Sequence, residues 1–122
     1  MSKKILVVED TEDNRQILRD LLGMAGYEMV EAHDGAQGVA MAAEHRPDLI
    51  LMDIQMPVLD GYEATRRIKA DPALAAIPIV AVTSYALSGD EAKARAAGCN
   101  DYIAKPYSPR QMLAKVREIL GS

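Results

Sequence analysis

Residues 49–53 read Leu49-Ile50-Leu51-Met52-Asp53. Four apolar residues in succession, closed by an acid, fit a strand covered on both faces rather than one with a wet side, and strands of that kind belong to parallel sheets. Working outward in both directions, similar Ile/Val/Leu-rich runs recur at residues 5–8, 29–32, 77–82 and 102–104. Helical periodicity fills the gaps. Ile17, Leu18, Leu21, Leu22 and Ala25 share one face, as do Met112, Leu113, Val116, Ile119 and Leu120. Val39, Ala40 and Ala43 predict a narrower inward stripe over Gly35–His45, and weaker helical patterns cover residues 61–70 and 89–97.

The punctuation agrees. Gly26 and Gly98 stand where helices should stop, and Ser108-Pro109 offers an N-cap followed by proline at the first helical position. Ser88 with Glu91, and Ser108 with Gln111, have capping-box spacing. Asp71-Pro72 and Ile77-Pro78 interrupt the chain around the start of the fourth strand. Five strand–helix units in strict succession predict a doubly wound α/β sandwich of five parallel strands and five helices, because parallel neighbours need helical crossovers. The flavodoxin-like strand order 2-1-3-4-5 follows, with ligands received beyond the carboxyl ends of the strands, at the switch point between strands one and three.

The residues found there are Glu9 and Asp10, Asp34, Asp53, Thr83 and Ser84, and Lys105. Strand order brings Glu9, Asp10 and Asp53 side by side. Two carboxylates about 5 Å apart repel by roughly 3 kcal/mol at an effective dielectric of 20, so three together call for raised pKa values or a cation. Hard oxygen ligands on an open rim suit Mg²⁺, which takes one or two carboxylates plus a phosphate oxygen. A carboxylate held there can act as a nucleophile towards phosphorus. Thr83 offers a hydroxyl, Ser84 a backbone N–H, and Lys105 the point charge expected of a phosphate-binding lysine. Each residue alone is better explained by a bland role, acids at strand ends being common turn formers; the set is not.

Val-Val-Glu-Asp at 7–10, Leu-Met-Asp-Ile-Gln-Met-Pro at 51–57 with Asp60-Gly61, Val-Thr-Ser at 82–84, and Lys105-Pro106 together resemble the response-regulator receiver family over essentially the whole chain, 1–122. The resemblance implies that Asp53 is the phosphorylated aspartate. It also implies that Asp10, Asp53 and the Gln55 carbonyl hold Mg²⁺ directly, with Glu9 acting through a water. Thr83 would swing towards the phosphoryl group, Lys105 would pair with it, Lys105-Pro106 would be cis, and Tyr102 would be the aromatic that turns inward on switching. Gln55 and Tyr85 would flank the attack path. Asn14, Arg15 and Ile17 would lie near where histidine donors dock. The readout would run through the segment after strand four and across strand five to the last helix, and the Ala-rich fourth helix reads either as a loosely held, movable element or as a plain helix. Implied partners are a histidine kinase or histidine phosphotransferase and a downstream target protein.

Other classes fit less well. A haloacid-dehalogenase-type phosphatase wants its nucleophile after strand one in a D-x-D arrangement, which Glu9-Asp10-Thr11 does not supply. A flavin-binding module needs a Ser/Thr/Gly-rich loop where this chain has Asp10-Thr11-Glu12-Asp13. The G-x-x-x-x-G-K of a P-loop is missing. The net charge of −4 and the lack of a basic cluster argue against direct nucleic-acid binding. No apolar run is long enough to span a bilayer. The single cysteine, Cys99, read as a small residue starting strand five, suits a reducing cytoplasm. His33 and His45 fall outside the site. Only Gly121-Ser122 follow the last helix, so a stand-alone regulator is expected. A relay shuttle, a phosphate sink and a receiver excised from a hybrid histidine kinase remain open.

Overall fold

The computed structural model describes residues 3–54, 59–83 and 90–121, without the side chains of Asp90 and Glu91. Five units follow one another: β1 (Lys4–Val8), α1 (Glu12–Met24), β2 (Glu28–Ala32), α2 (Gly35–His45), β3 (Leu49–Asp53), α3 (Gly61–Ala70), β4 (Ile79–Thr83), α4 (Asp90–Ala97), β5 (Asp101–Ala104) and α5 (Pro109–Leu120). The strands form one parallel sheet in the order β2-β1-β3-β4-β5, the order read from the sequence.

Both faces of the sheet are covered. Leu6, Val8, Ile50, Met52, Ile79 and Ala81 face α2, α3 and α4, whereas Ile5, Val7, Leu49, Leu51, Val80 and Val82 face α1 and α5. Successive residues of the central strands therefore bury on opposite sides, which is why their sequence shows no alternation. All five positions of β3 and all five of β4 are buried, four apolar residues and a terminal Asp53 or Thr83, which leaves no solvent face.

Local chemistry sets the helix ends. Asp34 caps α2 by accepting from the Gln37 N–H at 2.7 Å, and Asp60 caps α3 through the Glu63 N–H at 2.9 Å. Ser108 and Gln111 form the expected capping box, with Pro109 at the first position of α5. Gly26 and Gly98 adopt φ of +91° and +110°, the left-handed turn that stops a helix. Ser88 lies outside the described residues.

Four expectations need correction. In α2 the inward face is Gly35, Gly38 and Ala42, with Val39 beside it, while Ala40 and Ala43 are exposed. A Cβ on Gly38 would lie 2.9 Å from both γ-carbons of Val8, so the helix packs closest where it carries least side chain. In α1, Leu18 and Leu22 are buried but Ile17 is 55% exposed, because it sits about 100° round the helix from Leu18, away from the sheet. β4 starts at Ile79 rather than residue 77, since Pro78 has no N–H for the ladder and the Ile77 N–H is used in a turn to Leu74 O at 3.0 Å. Cys99 precedes β5 instead of starting it; it is buried, with its sulfur 3.7 Å from the Thr65 hydroxyl.

Candidate functional site

The strand register carries the acids together. Val8 pairs with Met52 across β1 and β3, so Glu9, one residue on, comes level with Asp53. Asp53 pairs with Val82, which puts Thr83 next to it on β4, and Thr83 pairs with Ala104, one residue before Lys105. The chain thus turns four strand ends into one rim. Oxygens of Glu9, Asp10 and Asp53 all lie within 4.8 Å of one another. Glu9, Asp53 and Thr83 are buried, and Asp10 is exposed.

Lys105 reaches back across the sheet from β5. Its backbone N–H donates to Thr83 O at 2.7 Å, which fixes the root of the side chain, and the Lys105–Pro106 peptide is cis. Its ammonium lies 3.2 Å from Glu9 Oε1 and 3.5 Å from Asp53 Oδ2. One cation therefore touches two buried carboxylates. Glu9 is held further by the Thr11 N–H at 3.0 Å and the Asn14 amide at 3.4 Å. Burial works against the Glu9 charge, but the bonds from Thr11, the Asp10 carboxyl and Lys105 outweigh it and hold Glu9 below the usual carboxylate range. Asp10 moves the other way: partial desolvation of this exposed acid by its neighbours raises it first, and the bonded, negative Glu9 raises it further. One acid lowered beside another raised is the strain a divalent cation would relieve.

The structure brings together Glu9, Asp10, Asp53, Thr83 and Lys105 and leaves Asp34 out, its carboxylate being used as the α2 cap. Gln55, Ser84 and Tyr85 lie outside the described residues. Tyr102 is half-buried and packs against the core on the α2–α4 side. His33 stands beside Asp34 and His45 beside Glu44, away from the cluster as expected.

Two participants were not read from the sequence as belonging to the cluster. Tyr107, with Leu18 and Val82, closes a void of about 10 Å³ beneath Glu9 and Asp53. Burial, then the charges of Glu9 and Asp53, hold its phenol above the usual value. The same ring lines an open groove of about 450 Å³ with Asn14, Ile17, Lys105 and Pro106, where the exposed Ile17 finds its surroundings. Arg15, expected near where histidine donors dock, turns in and donates to the Glu9 carbonyl at 2.7 Å. The adjacency of Tyr107 to Lys105-Pro106 was a signal for the first. A bond spanning six residues left none for the second.

The sequence matches the family described as response regulator receiver domain over residues 5–117. It is 44% identical over 121 residues to the polar-differentiation response regulator DivK of Brucella anthropi, covering 99% of this chain and 98% of that protein. Among solved structures, it superposes on the receiver domain of the sensor histidine kinase PA1611 of Pseudomonas aeruginosa with a TM-score of 0.92, 40% identity and full coverage of both chains. That structure has a magnesium ion coordinated in its active-site cleft. The chemotaxis protein CheY4 of Vibrio cholerae gives a TM-score of 0.93 at 28% identity, covering 98% of this chain and 99% of that one.

Proposed function

The chain belongs to the response regulator receiver domain family, and on that premise we propose that it is a single receiver over residues 1–122 that takes a phosphoryl group onto Asp53. The donor is a phosphohistidine on a histidine kinase or histidine phosphotransferase. The observation that carries this reading is the buried Asp53 carboxylate, 3.5 Å from the Lys105 ammonium and grouped with Glu9 and Asp10.

In the reaction an Asp53 oxygen bonds to phosphorus as the P–N bond to the donor imidazole breaks, and the imidazole leaves with a proton taken from solvent. Asp10, Asp53 and the Gln55 carbonyl are assigned to Mg²⁺ directly and Glu9 through a water; the three clustered carboxylates are the hard donors that ion prefers. Bound there, Mg²⁺ supplies charge neutralisation for nucleophile and phosphoryl oxygens. Lys105 stands ready to leave Glu9 for a phosphoryl oxygen, and the Ser84 N–H and Thr83 hydroxyl are assigned to the others. The added charge, roughly −1.5 to −2, draws Thr83 inward, and Tyr102 follows it. The surface so changed, from β4 to α5, recruits a downstream protein.

The groove formed by Asn14, Ile17, Pro106 and Tyr107 adjoins Lys105 and suits the apolar flank of a helix carrying the donor histidine. No described helix is long and apolar enough to cross a membrane. The test is incubation with Mg²⁺ and acetyl phosphate followed by intact mass. One phosphoryl group should be added to the native chain, and none to Asp53→Asn or in the presence of a chelator. Equal labelling of Asp53→Asn would refute the assignment. A second reading, a relay receiver of a hybrid kinase, is favoured by the 40% identity to the PA1611 receiver; rapid onward transfer from Asp53 to a histidine phosphotransferase would select it.

A further inference from the structure

We propose that Arg15 is a positioning residue for the acidic cluster, pinning the main chain of Glu9 from α1 and so setting the spacing of the carboxylates around the cation, Asp10 and Asp53 directly on it and Glu9 through a water. The inference rests on the reading of that cluster as a Mg²⁺ site.

A carbonyl that leaves the end of a sheet needs a donor. For Glu9 that donor is Arg15 Nη1, at 2.7 Å. The other arms of the same fork are also engaged: Nη2 lies 2.6 Å from Glu12, and Nε lies 3.3 Å from Glu31 on β2. Glu31 is itself gripped by Arg19, at 2.9 and 2.6 Å to its two oxygens, and Arg19 also reaches Glu12 at 3.2 Å. The Arg15 side chain is only 13% exposed. Since the Glu9 N–H donates to Ala32 O at 3.0 Å, both ends of residue 9 are tied: the amide to β2, and the carbonyl to a guanidinium anchored on β2 and α1.

Rotation of the Glu9 carbonyl would turn the next peptide and swing the Asp10 side chain. Mg²⁺ tolerates little of that. At metal–oxygen distances near 2.1 Å its octahedral ligands sit about 3.0 to 4.2 Å apart, a spacing the cluster, all within 4.8 Å, can meet. A planar fork can serve Glu9, Glu12 and Glu31 together; a lysine ammonium in its place cannot hold three acceptors in that arrangement.

Charge and position predict opposite signs, which makes the role testable. A cation at residue 15 repels Mg²⁺, so removing its charge alone would tighten Mg²⁺ binding, whereas loosening Glu9 weakens it. Arg15→Lys keeps the charge and removes the fork. Arg19→Met removes one charge from the same network without touching Glu9. Mg²⁺ titration of the full chain by calorimetry, with the folded state of each variant checked by its urea unfolding midpoint in EDTA, should show Arg15→Lys raising the Kd about tenfold. Arg19→Met should stay within twofold of native or bind more tightly. At saturating Mg²⁺ the acetyl phosphate reaction of Arg15→Lys should return to within twofold of native, because Arg15 touches no reacting atom. Should the lysine variant not fold, Arg15→Gln should weaken binding in the same direction despite its lost charge. Native-like Mg²⁺ affinity in the folded Arg15 variant, or an equal loss in Arg19→Met, would overturn the proposal while leaving the metal reading intact. Failure of the native chain itself to bind Mg²⁺ would overturn the metal reading and this inference with it.

Discussion

Gly61→Ala adds one methyl group beneath the candidate nucleophile, and the structure fixes what that methyl meets. Gly61 opens α3, its N–H bonded to Ile54 O at 3.2 Å. A Cβ there would overlap the Asp53 carbonyl oxygen and lie 2.8 Å from the Ile54 Cα. Both obstacles are main chain, which cannot step aside as a side chain can. Relief needs α3 to retreat by roughly 1 Å, the kind of overpacking that costs about 1–3 kcal/mol. Helix propensity acts the other way by at most about 1 kcal/mol and less in a first turn, so the net loss should be about 2 kcal/mol. At about 4 °C per kcal/mol for a chain of this size, the melting temperature should fall by about 8 °C. Gly23→Ala is the matched control. Among the described residues nothing lies within 4 Å of a Cβ at that position in α1, and the same chemical change should stabilise by about 0.5 kcal/mol. Thermal unfolding followed by circular dichroism reads both. A Gly61→Ala chain that melts at or above the native temperature would refute the close approach of α3 to Asp53.

Other consequences can be measured alongside it. Lys105→Met removes the cation shared by Glu9 and Asp53 and should cost about 3 kcal/mol in chelator at neutral pH, with urea titration showing the loss shrink as pH falls through the Glu9 value, which lies below the usual carboxylate range, since a protonated Glu9 needs no partner. Lys115 donates to Asp101 at 2.8 Å; although burial alone would raise Asp101, Lys115 and the Tyr102 N–H hold it below the usual range. A depressed acid contributes stability above its ordinary value near about 4 and loses it as pH falls through the folded value, so Lys115→Met should cost about 0.5–1 kcal/mol at pH 7 and clearly less at pH 3. Burial pushes the Cys99 thiol up, and alkylation of Cys99 by an uncharged maleimide should therefore track global unfolding; rapid labelling of the native chain would contradict its packed position.

The order of the strands was legible because five runs of apolar residues lay between five helical patterns, and a parallel sheet has few ways to arrange them. The clustering of Glu9, Asp53, Thr83 and Lys105 followed from that order, since each ends a strand at the same rim. Less could be seen wherever a side chain acts over a distance that sequence does not encode. The Lys69 ammonium donates to Ala75 O, Ile77 O and Asn100 Oδ1, at 3.1, 2.7 and 3.0 Å, tying the turn before β4 to the turn before β5, yet in the sequence it is one more charge on a helix. The bond from Arg15 to the Glu9 carbonyl left no mark in the sequence for the same reason. The inward face of α2 was misread because alanines counted as apolar, when the closest packing against Val8 requires glycine. Ile17 was placed in the core by its neighbours, although its own angle on α1 turns it towards the groove.

The measurement closest to the central claim locates the phosphoryl group. After reaction with acetyl phosphate and Mg²⁺, borohydride reduces an acyl phosphate to the alcohol, leaving homoserine where aspartate stood, and peptide mass mapping finds the residue. Homoserine at position 53 alone, absent when Mg²⁺ is chelated, is the result this account predicts. Reduction at Asp10 or Glu9, or an unreduced Asp53 in a chain that has gained phosphoryl mass, would contradict it.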